Sequence, residues 1–113
     1  MTYKERTQRI RQHTAKIQEA LPEVMKSFYA LNKSASARGA LDTKTKELIA
    51  LALAVGSRCD DCIAFHTQAV LQEGASKEEI METLAIAVFM GGGPSLMYAA
   101  HVIEAMEECQ SSQ

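Results

Sequence analysis

The pattern of apolar and polar positions is helical almost from end to end. From Tyr3 to Ala20 charged and polar residues dominate, while Ile10 and Ile17, with Ala20 adding to their stripe, predict a surface helix with a narrow buried face. Pro22 ends that helix or opens the next. Val24, Met25, Phe28, Tyr29 and Leu31 fall at helical spacing, after which Asn32 to Gly39 turns loop-like or frayed in composition. In the following run, "LDTKTKELIALALAVGS", Asp42 or Thr43 can cap the start and Gly56-Ser57 stops the helix. Leu48, Ile49, Leu51, Leu53 and Val55 make it apolar almost all round, which predicts burial.

A fourth helix should begin near Arg58 to Asp60 and run to Gly74, whose place just past a periodic stretch suits a left-handed cap. Ser76-Lys-Glu-Glu79 is a capping-box sequence that opens a fifth helix through Ile80, Leu84, Ala87 and Val88, halted at Gly91-Gly92-Gly93. Pro94 fits the first turn of a last helix, with Leu96, Met97, Ala100, Ile103 and Met106 on its apolar side. No strand-like alternation of useful length competes. The expected fold class is all-α, a single-domain antiparallel array of about six helices spanning residues 1–113, with no internal linker and no clear repeat.

Length and charge narrow the picture. A chain of 113 residues supports one core, and burying only about two-thirds of its unfolded surface makes subunit association a natural source of added stability. Net charge is -2 with both signs interspersed, so neither a nucleic-acid footprint nor an acidic tail is present. Thr83 to Ile103 contains no Asp, Glu, Lys or Arg and is long enough to span a bilayer. Gly91-Gly92-Gly93-Pro94 would break such a span at mid-depth, which favours two buried helices joined by a turn and no membrane partner. The N-terminus is charged at once and lacks the apolar stretch of an export signal, so a cytoplasmic location is expected. In that reducing compartment a Cys-x-x-Cys is more often catalytic or metal-binding than a permanent staple.

Such a pair occurs in "SRCDDCIAFH", residues 57–66. On a helix, Cys59, Cys62 and His66 share one face over successive turns. Two sulfurs one turn apart can close into a disulfide, and a histidine one turn below Cys62 can take its proton. Asp60 and Asp61 oppose this, because carboxylates between thiols disfavour the thiolate. Glu47, an ionisable residue in an apolar helix, needs a partner, and His66 would be a suitable one: a carboxylate–imidazole–thiol chain is how a base is oriented. Two other readings stay open on spacing alone. The pair could be incidental helix packing, or Cys59, Cys62 and His66 could bind zinc with His101 or Cys109 as a fourth ligand, although no second closely spaced pair completes a structural zinc pattern. His101, within an apolar run, reads as a hydrogen-bonded or interface histidine, His13 as solvated, and Cys109 as a free thiol near a polar tail.

The stretch Glu-x11-Cys-x-x-Cys-x3-His, Glu47 to His66, resembles the signature of the alkylhydroperoxidase D-like branch of the carboxymuconolactone decarboxylase superfamily, and the likeness extends over residues 41–94. It implies an all-helical oligomer, a homotrimer or homohexamer, that uses no metal or other cofactor. By position, Cys59 and Cys62 match the redox pair, His66 the proton-relay histidine, and Glu47 the glutamate that orients it. The resemblance further implies a thiol-dependent hydroperoxide reductase in antioxidant defence. There, one thiolate attacks a hydroperoxide substrate, the second cysteine resolves the sulfenic acid, and a dithiol or thiol-protein electron donor reduces the disulfide. Cys62, nearer the base, is the expected attacking thiol. Asp61 stands where some peroxide-reducing members carry a second histidine, which removes a proton donor. The decarboxylase branch does not use the cysteine pair, so its lactone chemistry is not expected here. The alternatives are a general disulfide oxidoreductase without fast peroxidase activity, or a non-redox or zinc-binding helical oligomer.

Overall fold

The computed structural model describes residues 1–111. Six helices make up nearly all of them: α1 (Tyr3–Ala20), α2 (Pro22–Ser36), α3 (Thr43–Gly56), α4 (Asp60–Gln72), α5 (Lys77–Gly91) and α6 (Gly93–Ser111). No strand occurs among the described residues. Helix starts follow local chemistry closely. Asp42 Oδ1 accepts the Thr45 N–H at 2.8 Å, and Ser76 with Glu79 forms both halves of a capping box at 3.1 and 2.8 Å. Gly74 takes the left-handed φ of 81° expected of a residue ending α4. Pro94 lies in the first turn of α6, where its missing N–H costs nothing.

The core lies among α3, α4, α5 and α6. Leu51, Val55, Ile63, Val70, Ile80 and Val102 are fully excluded from solvent, and small residues such as Ala54, Ala64, Ala99 and Ala105 let the helices approach. Lys44 joins the start of α3 to the cap of α5 through Glu79 at 2.8 Å. Among the described residues no helix is long and apolar enough to cross a membrane, and the turn at Gly92 splits the uncharged stretch in two.

Four expectations need correction. Helix α2 continues through Ser36, past the point where composition turns loop-like. The Thr43 hydroxyl donates to Ser36 O at 3.0 Å and Lys46 Nζ bonds Ala37 O at 2.6 Å, so side chains of α3 satisfy the end of α2. On α1 the stripe through Ile10 is on the inward face, together with buried Tyr3 and Thr7, but burial fades beyond Thr14 and Ile17 is 47% exposed. Helix α3 is not buried all round: Ile49 and Leu53 are 46% and 68% exposed, so its apolar run is wider than the face that α2, α4, α5 and α6 cover. On α6 the face turned inward carries Ser95, Ala99, Val102, Ala105 and Met106, whereas Leu96, Met97 and Ala100 point outward. Both faces of that helix are apolar, and the small residues won the close contacts.

Candidate functional site

The site is built at the turn between α3 and α4. Ser57, Arg58 and Cys59 send their N–H groups back to Leu53, Val55 and Ala54 carbonyls at 2.8, 3.1 and 3.1 Å, closing α3 in a Schellman-type turn. Arg58 holds the left-handed position at φ 56°, a conformation that glycine would adopt with less strain. Cys59 ends this turn and at once caps α4, its Sγ accepting the Cys62 N–H at 3.2 Å. Cys59 and Cys62 are joined as a disulfide with Cα atoms 5.2 Å apart. An N–H aimed at Cys59 Sγ also favours the thiolate when the bond is reduced.

One helical turn below Cys62, His66 Nδ1 lies 2.8 Å from Glu47 Oε2. The Glu47 side chain is only 14% exposed, so this bond answers the need of a covered carboxylate for a partner. With Nδ1–H donated to Glu47, Nε2 is the nitrogen left to exchange a proton. The structure therefore brings all four residues singled out in the sequence into one place.

Both aspartates turn out to be engaged. Asp61 pairs with Arg6 of α1 at 3.2 Å. Asp60 Oδ1 accepts from the Tyr3 hydroxyl at 3.2 Å and from His101 Nδ1 of α6 at 2.7 Å. His101 is thus hydrogen-bonded and half-exposed, with its ring edge-on to Tyr98. The carboxylates are turned toward partners on α1 and α6, which reduces their opposition to a thiolate. Sequence reasoning missed Tyr3 and Arg6. The one signal for them was the pair of unmatched charges at Asp60 and Asp61. Cys109 lies elsewhere, in a groove with Tyr3, Gln8 and Gln68, and burial followed by the Glu108 charge pushes its thiol upward. Among the described residues no three His, Cys, Asp or Glu side chains are grouped to hold a metal ion.

Burial, then the neighbouring Asp60 charge, raises the Tyr3 phenol well above its ordinary value. A phenol whose pKa rises on folding contributes stability that is fully present below its unfolded value of about 10 and is lost as pH climbs beyond it. Denaturant titrations at about pH 9 and about pH 11 should therefore show a steeper alkaline loss for the wild type than for Tyr3→Phe. Equal losses would mean that Tyr3 is neither buried nor held against Asp60 in solution.

Beside the disulfide runs an open groove of ≈ 840 Å³. Its walls are mostly apolar, with Leu53 from α3 and Ile86 and Met90 from α5; α4 contributes Cys62 and His66, and α6 contributes Ser95. Cys62 is exposed and lines the groove, whereas Cys59 is half-buried and Glu47 lies behind His66. A small molecule in the groove would meet one sulfur and one imidazole.

Comparison with known proteins places the chain in a family and agrees with the fold. The sequence profile of the carboxymuconolactone decarboxylase family matches residues 22–105. An uncharacterised protein of Cupriavidus necator is 46% identical over 85 residues, 75% of each chain. A carboxymuconolactone decarboxylase family protein from Legionella pneumophila superposes with a TM-score of 0.92 at 51% identity, over 94% of this chain and 95% of that one. Another from Thermotoga maritima, for which involvement in antioxidative response has been suggested, superposes at 0.83 with 34% identity, over 93% and 90%.

Proposed function

The chain belongs to the carboxymuconolactone decarboxylase family, and on that premise we propose that it is a thiol-dependent hydroperoxide reductase. The observation that carries the reading is the shared groove: Cys62, already paired with Cys59, faces it together with His66, whose other nitrogen is held by Glu47. In the reduced protein, the Cys62 thiolate forms an S–O bond to the terminal oxygen of a hydroperoxide as the O–O bond breaks. Cys62 becomes a sulfenic acid and the departing alkoxide takes a proton from His66. The Cys59 thiol then attacks the Cys62 sulfur, water leaves, and the disulfide forms. A dithiol or thiol-protein donor returns two electrons by attacking Cys62, the accessible sulfur. Cys59 leaves as a thiolate that the helix N-terminus favours.

The chain also self-associates in this reading, as a homotrimer or homohexamer. Its support is the outward apolar surface of Val24, Phe28, Leu31, Phe89, Met90 and Met97, each more than half exposed. A second reading, a general disulfide oxidoreductase, draws on Asp61, which is tied to Arg6 and offers no proton beside Cys62. Stopped-flow mixing of fully reduced protein with tert-butyl hydroperoxide decides between them. The peroxidase reading expects Cys59 and Cys62 to be lost together, two thiols for each peroxide consumed. A protein that equilibrates with dithiol and disulfide yet leaves the peroxide untouched would establish the oxidoreductase instead.

A further inference from the structure

The groove contains a polar group that attack by Cys62 does not by itself require. Ser95 retains only 3% exposure, lines the groove with Cys62 and His66, and has no hydrogen-bond partner for its hydroxyl among the described residues. Among the described residues the sealed side-chain atoms left unpaired are Arg6 Nε and Thr67 Oγ1, not Ser95 Oγ, so this hydroxyl opens onto the groove and is free to bond what enters it. Its seat is specific. A Cβ added at Gly91, the last residue of α5, would collide with Ser95 Oγ and come within 2.8 Å of Ser95 Cβ, so the hydroxyl occupies space that only glycine leaves open. Ser95 also stands in the first turn of the 19-residue α6, where the N–H groups of Gly93 and Ser95 have no acceptor within the helix. That end carries partial positive charge, so hydroxyl and helix terminus together suit an oxygen on which negative charge develops.

We propose that Ser95, backed by the N-terminal turn of α6, receives the leaving oxygen of the hydroperoxide. The proposal rests on the peroxidase reading and assigns a partner to the half of the substrate that Cys62 does not touch. As sulfur bonds to the terminal oxygen, the electron pair of the O–O bond passes to the inner oxygen. Ser95 Oγ–H donates a hydrogen bond to that oxygen without giving up its proton. The proton that completes the alcohol comes from His66. Leu53, Ile86 and Met90 line the same groove and suit an apolar substituent on the leaving oxygen.

The test is Ser95→Ala, which removes no protein hydrogen bond and should leave folding intact. Reduced wild type and variant are mixed with tert-butyl hydroperoxide, whose alkoxide is a poor leaving group, and separately with peracetic acid, whose acetate leaves without help. Alkylation of Cys62 by iodoacetamide reports the thiolate in both proteins. The variant should be slower with tert-butyl hydroperoxide by about tenfold or more, with alkylation unchanged and peracetic acid affected by less than about twofold. Gly91→Ala, which keeps the serine and displaces its hydroxyl, should lose rate in the same selective way. Equal rates with tert-butyl hydroperoxide, or equal slowing with both oxidants, would overturn the role of Ser95 alone. A wild type inert to tert-butyl hydroperoxide would overturn the peroxidase reading and this role with it.

Discussion

Cys62→Ser is expected to consume no measurable peroxide, with steady-state turnover down by at least roughly 10³, whereas Cys59→Ser should complete one turnover and stop. A serine hydroxyl at neutral pH is neither appreciably ionised nor able to cycle through a sulfenic acid. In the Cys59→Ser protein the first S–O bond still forms, because the exposed sulfur and His66 remain in the groove. Only the resolving thiol is missing, so a sulfenic acid should persist and be captured by a dimedone-type probe. Mass spectrometry of the two variants after one equivalent of peroxide reads this directly. A trapped sulfenic acid in Cys62→Ser and none in Cys59→Ser would exchange the roles of the two thiols.

The second large effect is expected at the base. His66→Phe should slow the peroxide step by about 10² to 10⁴, since the ring near Cys62 would no longer take or return a proton. Glu47→Gln keeps the volume and removes the charge that holds His66 through Nδ1. It should lose part of the same rate, and adding it to His66→Phe should cost little more, because Glu47 acts through His66. The measurement is the second-order rate of peroxide reduction across pH in the two single variants and the double. Independent, multiplicative losses would show that Glu47 acts on the thiols by a route other than the imidazole.

The parts of this protein that were legible in its sequence are those decided by near neighbours. Asp42, Ser76 with Glu79, and Gly74 act within one turn of helix, so their spacing was enough to place the ends of α3, α4 and α5. The Glu47–His66 contact crosses 19 positions but follows from two helices joined by a short turn. What stayed hidden depends on distant packing. Tyr3 and Asp60 are 57 positions apart and Arg6 and Asp61 are 55, and nothing near Tyr3 or Arg6 announces the pairing. The inward face of α6 could not be told from its outward one because both are apolar. The extent of α2 depended on Thr43 and Lys46, donors from the next helix.

The turn joining α3 to α4 has no idle residue: Ser57 and Arg58 close one helix, and Cys59 finishes that closure while capping the next. A gained or lost residue there has no slack in which to be absorbed and must be taken up as helix phase. Each such step amounts to about 100° of rotation and about 1.5 Å of rise. One step would swing His66 off Glu47 or remove Cys59 from the cap. The segment from Glu47 to His66 therefore behaves as a fixed-length gauge, open to substitution at single positions but closed to insertion. Changes in chain length belong instead to residues 38–41, between the Ala37 carbonyl that Lys46 holds and the Asp42 cap of α3, where no helix phase links the two sides.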